Sequence, residues 1–108
     1  MANSDQTTLI RLDVNNPVFQ DNLLNLPKPE RHSALETINK LRRMTWRQVY
    51  KDNGLKWEKV ASVIPPPGIT AIYSLRITRP RRATAYREGD FIRLLTIAPD
   101  HDSAYGKY

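Results

Sequence analysis

The stretch ITAIYSLRITRPRRATAYREGDFIRLLTIA, residues 69–98, decides the expected fold because it contains three strand patterns separated by turn signals. From residue 69 to 78, apolar and polar residues alternate as in a strand with one buried face. Residues 81–87 and 91–98 predict two further strands, and the turn between them contains Gly89. The sequence therefore predicts an antiparallel three-strand meander. The alternation in its first strand assigns an apolar face and a polar face, Ile69, Ala71, Tyr73, Leu75 and Ile77 against Thr70, Ser74, Arg76 and Thr78.

A strand and two helices are predicted before the meander. Residues 8–14 have the length and the branched side chains of a strand, and Asn16 followed by Pro17 is an N-cap signal with proline at the first helical position. The helix that they open, PVFQDNLLNL, ends before Pro27. Residues 29–44 place apolar side chains at helical spacing. The short connection between the two helices predicts an antiparallel helical hairpin.

Helices that precede a meander in sequence predict an α+β fold, with the helices on one face of an antiparallel sheet. The other face is expected to be left to solvent or to a partner. At 108 residues, the chain is expected to form one domain, residues 1–108, with a flexible start at residues 1–7. Residues 45–68 are predicted to add a short third helix, opened by a capping box of Thr45 and Gln48, and a proline-rich connector.

The composition excludes several kinds of protein. The 17 lysines and arginines exceed the 11 acidic residues, which gives a net charge of +6 and favours a polyanionic partner such as nucleic acid. Net charge alone is equally compatible with a basic protein that has no such partner. Without cysteine, and with only His32 and His101, no metal or other cofactor is expected. The sequence also lacks an apolar run near the roughly 20 residues of a membrane span and lacks a secretory leader, so a cytoplasmic protein without a membrane partner is expected.

Arginine is concentrated around the turn between the first two meander strands. Residues 76–93 contain six arginines, two acidic residues and no lysine, and Pro80 sets the turn backbone that places them near a hairpin tip. A guanidinium binds phosphate through two parallel hydrogen bonds, which an ammonium does not. The alternative is a solvated charged face, although such a face more often mixes lysine with arginine and pairs both with acids. The predicted phosphate-binding residues are Arg76, Arg79, Arg81, Arg82 and Arg93.

The polar tail, residues 99–108, contains groups that can transfer protons. Histidine titrates near neutral pH, and a neighbouring carboxylate can orient its ring or raise its pKa. Together with arginines, such groups suit metal-independent RNA cleavage, in which a base takes the proton of a ribose 2′-hydroxyl and an acid protonates the leaving 5′-oxygen. The alternative for this segment is a polar turn after the last strand. The candidate catalytic residues are Arg82, Asp100, His101, Asp102 and Tyr105.

Residues 72–105 resemble the C-terminal meander of the RelE/ParE/HigB superfamily, the toxins of bacterial type II toxin–antitoxin pairs. The matching features are a Tyr-x-Leu-Arg strand, an Arg-Ala-x-x-Tyr strand, a turn with glycine, an apolar strand and a polar tail with histidine and tyrosine. Residues 8–44 fit the same fold in order and length. The resemblance covers most of the chain and is specific in its last third.

The resemblance implies a RelE-like toxin, a ribosome-dependent endoribonuclease that cleaves messenger RNA and inhibits translation. It implies that Arg76 and Arg82 bind phosphate and that Tyr105 is a candidate catalytic residue, and His101 resembles a histidine that some relatives use. The implied partners are a cognate antitoxin, messenger RNA in the ribosomal A site, and operator DNA through the toxin–antitoxin complex only.

The chain departs from the RelE pattern on the first meander strand. Where RelE has two lysines, this sequence has Ser74 and Arg76, so the role of base passes to His101 or a neighbouring aspartate. ParE-like relatives share the fold but poison DNA gyrase without cleaving RNA, so a gyrase poison is one alternative. A non-catalytic basic module that binds RNA or the ribosome is another.

Overall fold

A mixed five-stranded sheet organises the protein in a computed structural model that describes residues 4–98. In spatial order the strands are β1-β5-β4-β3-β2. The predicted meander is confirmed, since β3, β4 and β5 are antiparallel neighbours. Their bounds are Arg11–Asp13 for β1, Glu58–Lys59 for β2, Tyr73–Arg76 for β3, Arg82–Glu88 for β4 and Phe91–Ile97 for β5.

The prediction of a wholly antiparallel sheet is wrong, because β1 pairs with β5 in parallel. Parallel neighbours need a long crossover connection, and the helices between β1 and the meander form one. The strand β2 was also not predicted. It is only two residues long and lies at the sheet edge beside β3, inside the segment expected to be a connector.

Four helices are present among the described residues, and capping signals in the sequence explain two of them. Asn16 Oδ1 accepts a hydrogen bond from the Val18 backbone N at 2.8 Å, which confirms the predicted N-cap. Thr45 and Gln48 form the predicted capping box. The helices are α1 (Ser4–Thr7), α2 (Pro17–Leu24), α3 (Lys28–Leu41) and α4 (Trp46–Lys51).

Two strands are shorter than predicted. The expected strand over residues 8–14 is reduced to β1, which has three partners on β5. The expected strand over residues 69–78 is reduced to β3, because the chain turns after it, with the Ile77 backbone N donating to the Arg81 carbonyl at 3.1 Å. The expected flexible start contains the helical turn α1.

The helices cover one face of the sheet, as predicted for an α+β fold. Phe19 and Leu41, from the helices, are buried in one cluster with Leu75 and Leu94 of the sheet. Burying a side chain of this size stabilises the fold by about 1.5–3 kcal/mol. None of the helices within residues 4–98 has the length and apolarity needed to cross a membrane.

The opposite sheet face is not left to solvent at its centre, contrary to expectation. Ser74, Thr84 and Thr96 are cross-strand neighbours on that face, and all three are buried. Arg82, which begins β4 on the same face, is also buried. The sheet therefore carries a buried polar row beside the predicted arginine cluster.

Candidate phosphate-binding site

Arg82 is held in one position by neutral hydrogen-bond acceptors. Its Nε donates to Ser74 Oγ at 3.1 Å, and its Nη2 donates to the same oxygen at 2.9 Å and to the Lys56 carbonyl at 2.7 Å. Its Nη1 donates to no acceptor among residues 4–98. Only 8 % of the residue is exposed. These hydrogen bonds orient the guanidinium before any ligand binds. Its Nη1 has no acceptor among the described residues and can donate to a ligand.

No carboxylate within residues 4–98 forms an ion pair with Arg82. Buried arginines are normally paired, because an uncompensated charge away from water is costly. Arg76 lies directly opposite on β3, and like charges at such a position destabilise a strand pair. An anion bound between these two side chains would relieve both costs, and phosphate fits guanidinium geometry.

The Ser74 hydroxyl of the buried polar row positions the Arg82 guanidinium. Ser74 Oγ accepts hydrogen bonds from the Arg82 guanidinium. On the neighbouring strands, the Thr84 and Thr96 hydroxyls are hydrogen-bonded to each other at 2.6 Å. The sequence pattern placed Ser74 on the polar face but gave no sign of its burial. Its role as a positioning residue depends on the pairing of β3 with β4, which a period-two pattern does not specify.

Arg81 and Arg93 are neutralised by acids that are distant in sequence. Arg81 Nη2 donates to Glu30 Oε2 at 3.0 Å, and this pair lowers the pKa of Glu30. Arg93 Nη1 donates to Asp13 Oδ2 at 2.7 Å, and its Nε donates to Glu88 Oε1 at 2.7 Å. Both arginines, which the sequence predicts to bind phosphate, are therefore paired with carboxylates. Their charges hold distant parts of the chain together and are already compensated, so they are less available to an anionic ligand.

Arg87, which was counted in the cluster but not predicted to bind, also has a structural environment. It pairs with Asp5 of α1, donates to the Tyr50 hydroxyl at 2.7 Å, and lies 4.7 Å from the centre of a Trp46 ring. The hydrogen bond to Asp5, followed by the one to Tyr50, raises the pKa of Arg87. The residue ties the start of the chain to β4.

Arg76 and Arg79 are not engaged by any other side chain that the structure describes. Neither forms an ion pair or a side-chain hydrogen bond with another of residues 4–98. Both line an open groove of about 520 Å³ between α3 and the turn after β3. Arg79 is exposed in that turn, and Arg76 is half-buried beside Arg82. Arg76, Arg79 and Arg82 are hereafter called the arginine site.

The remaining candidates, Asp100, His101, Asp102 and Tyr105, lie outside the described residues. The described chain ends at Ala98, whose backbone N donates to the Arg82 carbonyl at 3.0 Å. Ala98, the last described residue, is therefore a direct neighbour of Arg82. Within residues 4–98, no group of three histidine, aspartate or glutamate side chains is arranged to hold a metal ion.

No protein-family model, curated protein sequence or solved structure matches this chain significantly. Function is therefore inferred from geometry and residue chemistry, together with the resemblance in the last third of the sequence. The geometry defines a basic α+β domain in which Arg82, on the sheet face opposite the helices, is oriented by hydrogen bonds and has no carboxylate partner among the described residues.

Proposed function

We propose that this protein is a RelE-like toxin that cleaves messenger RNA on the ribosome and is neutralised by a cognate antitoxin. The observation that carries the proposal is Arg82, a buried guanidinium oriented by Ser74 and by the Lys56 carbonyl and lacking a carboxylate partner within residues 4–98. Arg76 stands directly across from it. Such a pair is suited to a phosphodiester, whose non-bridging oxygens accept several charge-assisted hydrogen bonds.

The arginine site would bind the scissile phosphate and stabilise the charge that develops on it. Because Arg82 is already oriented, little reorganisation is needed when the transition state forms, which is the condition under which electrostatic stabilisation is strongest. A base removes the proton of the ribose 2′-hydroxyl, and the 2′-oxygen attacks phosphorus. The bond to the 5′-oxygen breaks and an acid protonates that oxygen, leaving a 2′,3′-cyclic phosphate and a 5′-hydroxyl.

The base and acid are proposed to come from the tail. Asp100, His101, Asp102 and Tyr105 remain the candidates, with no order among them. What supports this assignment is that Ala98, the residue just before the tail in sequence, is hydrogen-bonded to the Arg82 backbone. The proposed partners are messenger RNA in the ribosomal A site, the antitoxin, and operator DNA contacted only within the toxin–antitoxin complex.

A non-catalytic module that binds RNA or the ribosome is the second candidate. It is favoured by the fact that residues 4–98 supply cations for binding but no evident general base at the arginine site. The one histidine in this part of the chain, His32, contacts Glu36 at 2.7 Å on the exposed surface of α3. Under this alternative, substitutions in the tail would leave RNA binding and its biological effect unchanged.

The deciding experiment is primer extension on a reporter messenger RNA, with and without purified ribosomes. Wild type is compared with Arg76→Ala, Arg82→Ala and His101→Ala, and Lys28→Ala serves as a control that removes an exposed cation elsewhere. We expect ribosome-dependent cleavage by wild type and Lys28→Ala, and a rate lower by about 100-fold or more in Arg82→Ala. Arg76→Ala helps to separate function from folding, because the Arg76 side chain forms no hydrogen bond or ion pair within residues 4–98, and urea unfolding checks that the variant is folded.

Two outcomes would overturn parts of the proposal. Intact message in every condition with wild-type protein would exclude the nuclease, and a DNA-break assay with gyrase would then test the gyrase-poison alternative. Cleavage that is equally fast in Arg76→Ala, Arg82→Ala and Lys28→Ala would show that the arginine site does not hold the scissile phosphate.

A further inference from the structure

We propose that a second RNA-binding surface, here called the helix groove, extends from the arginine site along α3 and α4. The helix groove is an open depression of about 970 Å³ between these helices, and Gln6 of α1 also lines it. It shares Glu36 and Lys40 with the groove that contains Arg76 and Arg79. The two grooves therefore lie side by side along α3, and an RNA strand that spans both would contact Arg76 and Arg79 in one and the cations of the helix groove in the other.

The helix groove has a surplus of positive charge. Four cations and two acidic residues line it; Asp52 pairs with Lys40 at 2.8 Å, and Glu36 contacts His32 at 2.7 Å. The pairing with Lys40 lowers the pKa of Asp52. Three further cations line the groove without an ion pair to any of residues 4–98, and these are Arg43, Arg47 and Lys51.

The helix α4 presents two of these cations at a cost to its own stability. Arg47 and Lys51 are four residues apart and exposed, so they share one face of the helix, where like charges repel. Trp46 and Val49 are buried on the side that faces the core. The capping box of Thr45 stabilises this six-residue helix despite the repulsion. An anionic ligand bound between Arg47 and Lys51 would offset their repulsion.

The lining chemistry favours a nucleic-acid backbone over a protein. Protein interfaces depend on large apolar or aromatic anchors near their centre. The helix groove offers instead cations and amide or hydroxyl groups, among them Asn39, Thr45 and Gln48, and its one large apolar residue, Met44, is only 8 % exposed. Side chains of these types contact phosphate and sugar. The choice of RNA over DNA rests on the proposed function, and the inferred ligand is the RNA backbone beyond the scissile phosphate.

The test measures binding rather than cleavage. Fluorescence anisotropy with a labelled oligouridylate gives the affinity of the full chain across a range of salt concentrations. The double variant Arg47→Ala/Lys51→Ala is compared with Lys28→Ala/Lys59→Ala, which removes the same charge from exposed positions outside both grooves. For single-stranded RNA, loss of two phosphate contacts should reduce the slope of log affinity against log salt by about 1.4 units. The control pair should change the slope by much less.

Equal slopes and affinities in the two double variants would overturn the inference, because net charge alone would then account for binding. Competition by polyglutamate as effective as that by unlabelled oligouridylate would also overturn it, and would assign the groove to an acidic protein segment. Failure of the proposed function is distinguishable, since it appears as absent cleavage in the primer-extension assay while the anisotropy result is unaffected.

Discussion

Single residues on the sheet face opposite the helices are specified by hydrogen bonds more than by apolar packing. Thr84 and Thr96 are both buried, and each hydroxyl finds its partner in the other at 2.6 Å. Ser74 uses its hydroxyl for Arg82. A buried polar group left without a partner costs more than a satisfied pair contributes. The hydroxyls of the polar row can therefore be satisfied in only one register of β3, β4 and β5.

Replacing one threonine of the pair should destabilise the protein more than replacing both. Thr84→Val leaves the Thr96 hydroxyl unsatisfied and should lower the free energy of unfolding by about 1–3 kcal/mol. Thr84→Val/Thr96→Val removes both polar groups with little change of shape and should lower it by less than the single variant. Urea denaturation of wild type, the two single variants and the double variant measures the coupling. Strictly additive losses would contradict the proposed pairing.

At the scale of elements, the hairpin of β4 and β5 depends on the backbone conformation of Gly89. Gly89 has a φ of +60°, in the left-handed region, and its carbonyl accepts a hydrogen bond from Arg87 Nε at 2.9 Å. A Cβ at this position would meet no atom within 4 Å. Any cost of a side chain there is therefore conformational and does not arise from crowding.

Gly89→Ala should lower the free energy of unfolding by about 1–2 kcal/mol, because a residue with a Cβ is strained in the left-handed region. Gly89→Asn fills the same space but tolerates this conformation better, so its loss should be smaller. Thermal or urea unfolding of the two variants checks the difference. If alanine and asparagine cost the same, or if neither has an effect, backbone strain is not what selects glycine at this turn.

At the scale of the whole molecule, ion pairs connect elements that are distant in sequence. Each pairing lowers the pKa of the carboxylate, with the side-chain hydrogen bond to its cation as the largest cause. The pairs join α1 to β4, β1 to β5, α3 to the turn before β4, and α3 to the loop after α4. They are Asp5–Arg87, Asp13–Arg93, Glu30–Arg81 and Asp52–Lys40.

The protein should lose stability on acidification below about pH 4, near the ordinary pKa of free carboxylates. A carboxylate whose pKa is lower in the folded state binds fewer protons there than when unfolded, so its contribution is present above the unfolded pKa and is lost as pH falls through the folded value. Urea midpoints between about pH 7 and about pH 3 should decrease accordingly. Asp5→Asn should weaken the dependence, and a midpoint that rises or stays level on acidification would contradict it.

Local signals in the chain were sufficient for the caps, for α2, α3 and α4, and for the meander. The N-cap at Asn16 and the capping box at Thr45 involve atoms within three residues of one another, and the alternation of β3 to β5 reports burial along one strand at a time. Such features do not depend on contacts with residues that are distant in sequence. The parallel placement of β1 could not be predicted in the same way, because its partner is about 80 residues away in sequence.

Composition and spacing likewise identified the arginine-rich turn, but they could not distinguish one arginine from another. Chain folding brings Glu30 to Arg81 across 51 positions and Asp13 to Arg93 across 80, and these contacts neutralise two of the predicted phosphate ligands. The same folding buries Arg82 against Ser74 and leaves it without a carboxylate among residues 4–98. Charge compensation depends on distance in space, so the folded arrangement alone determined which arginines remain available to an anion.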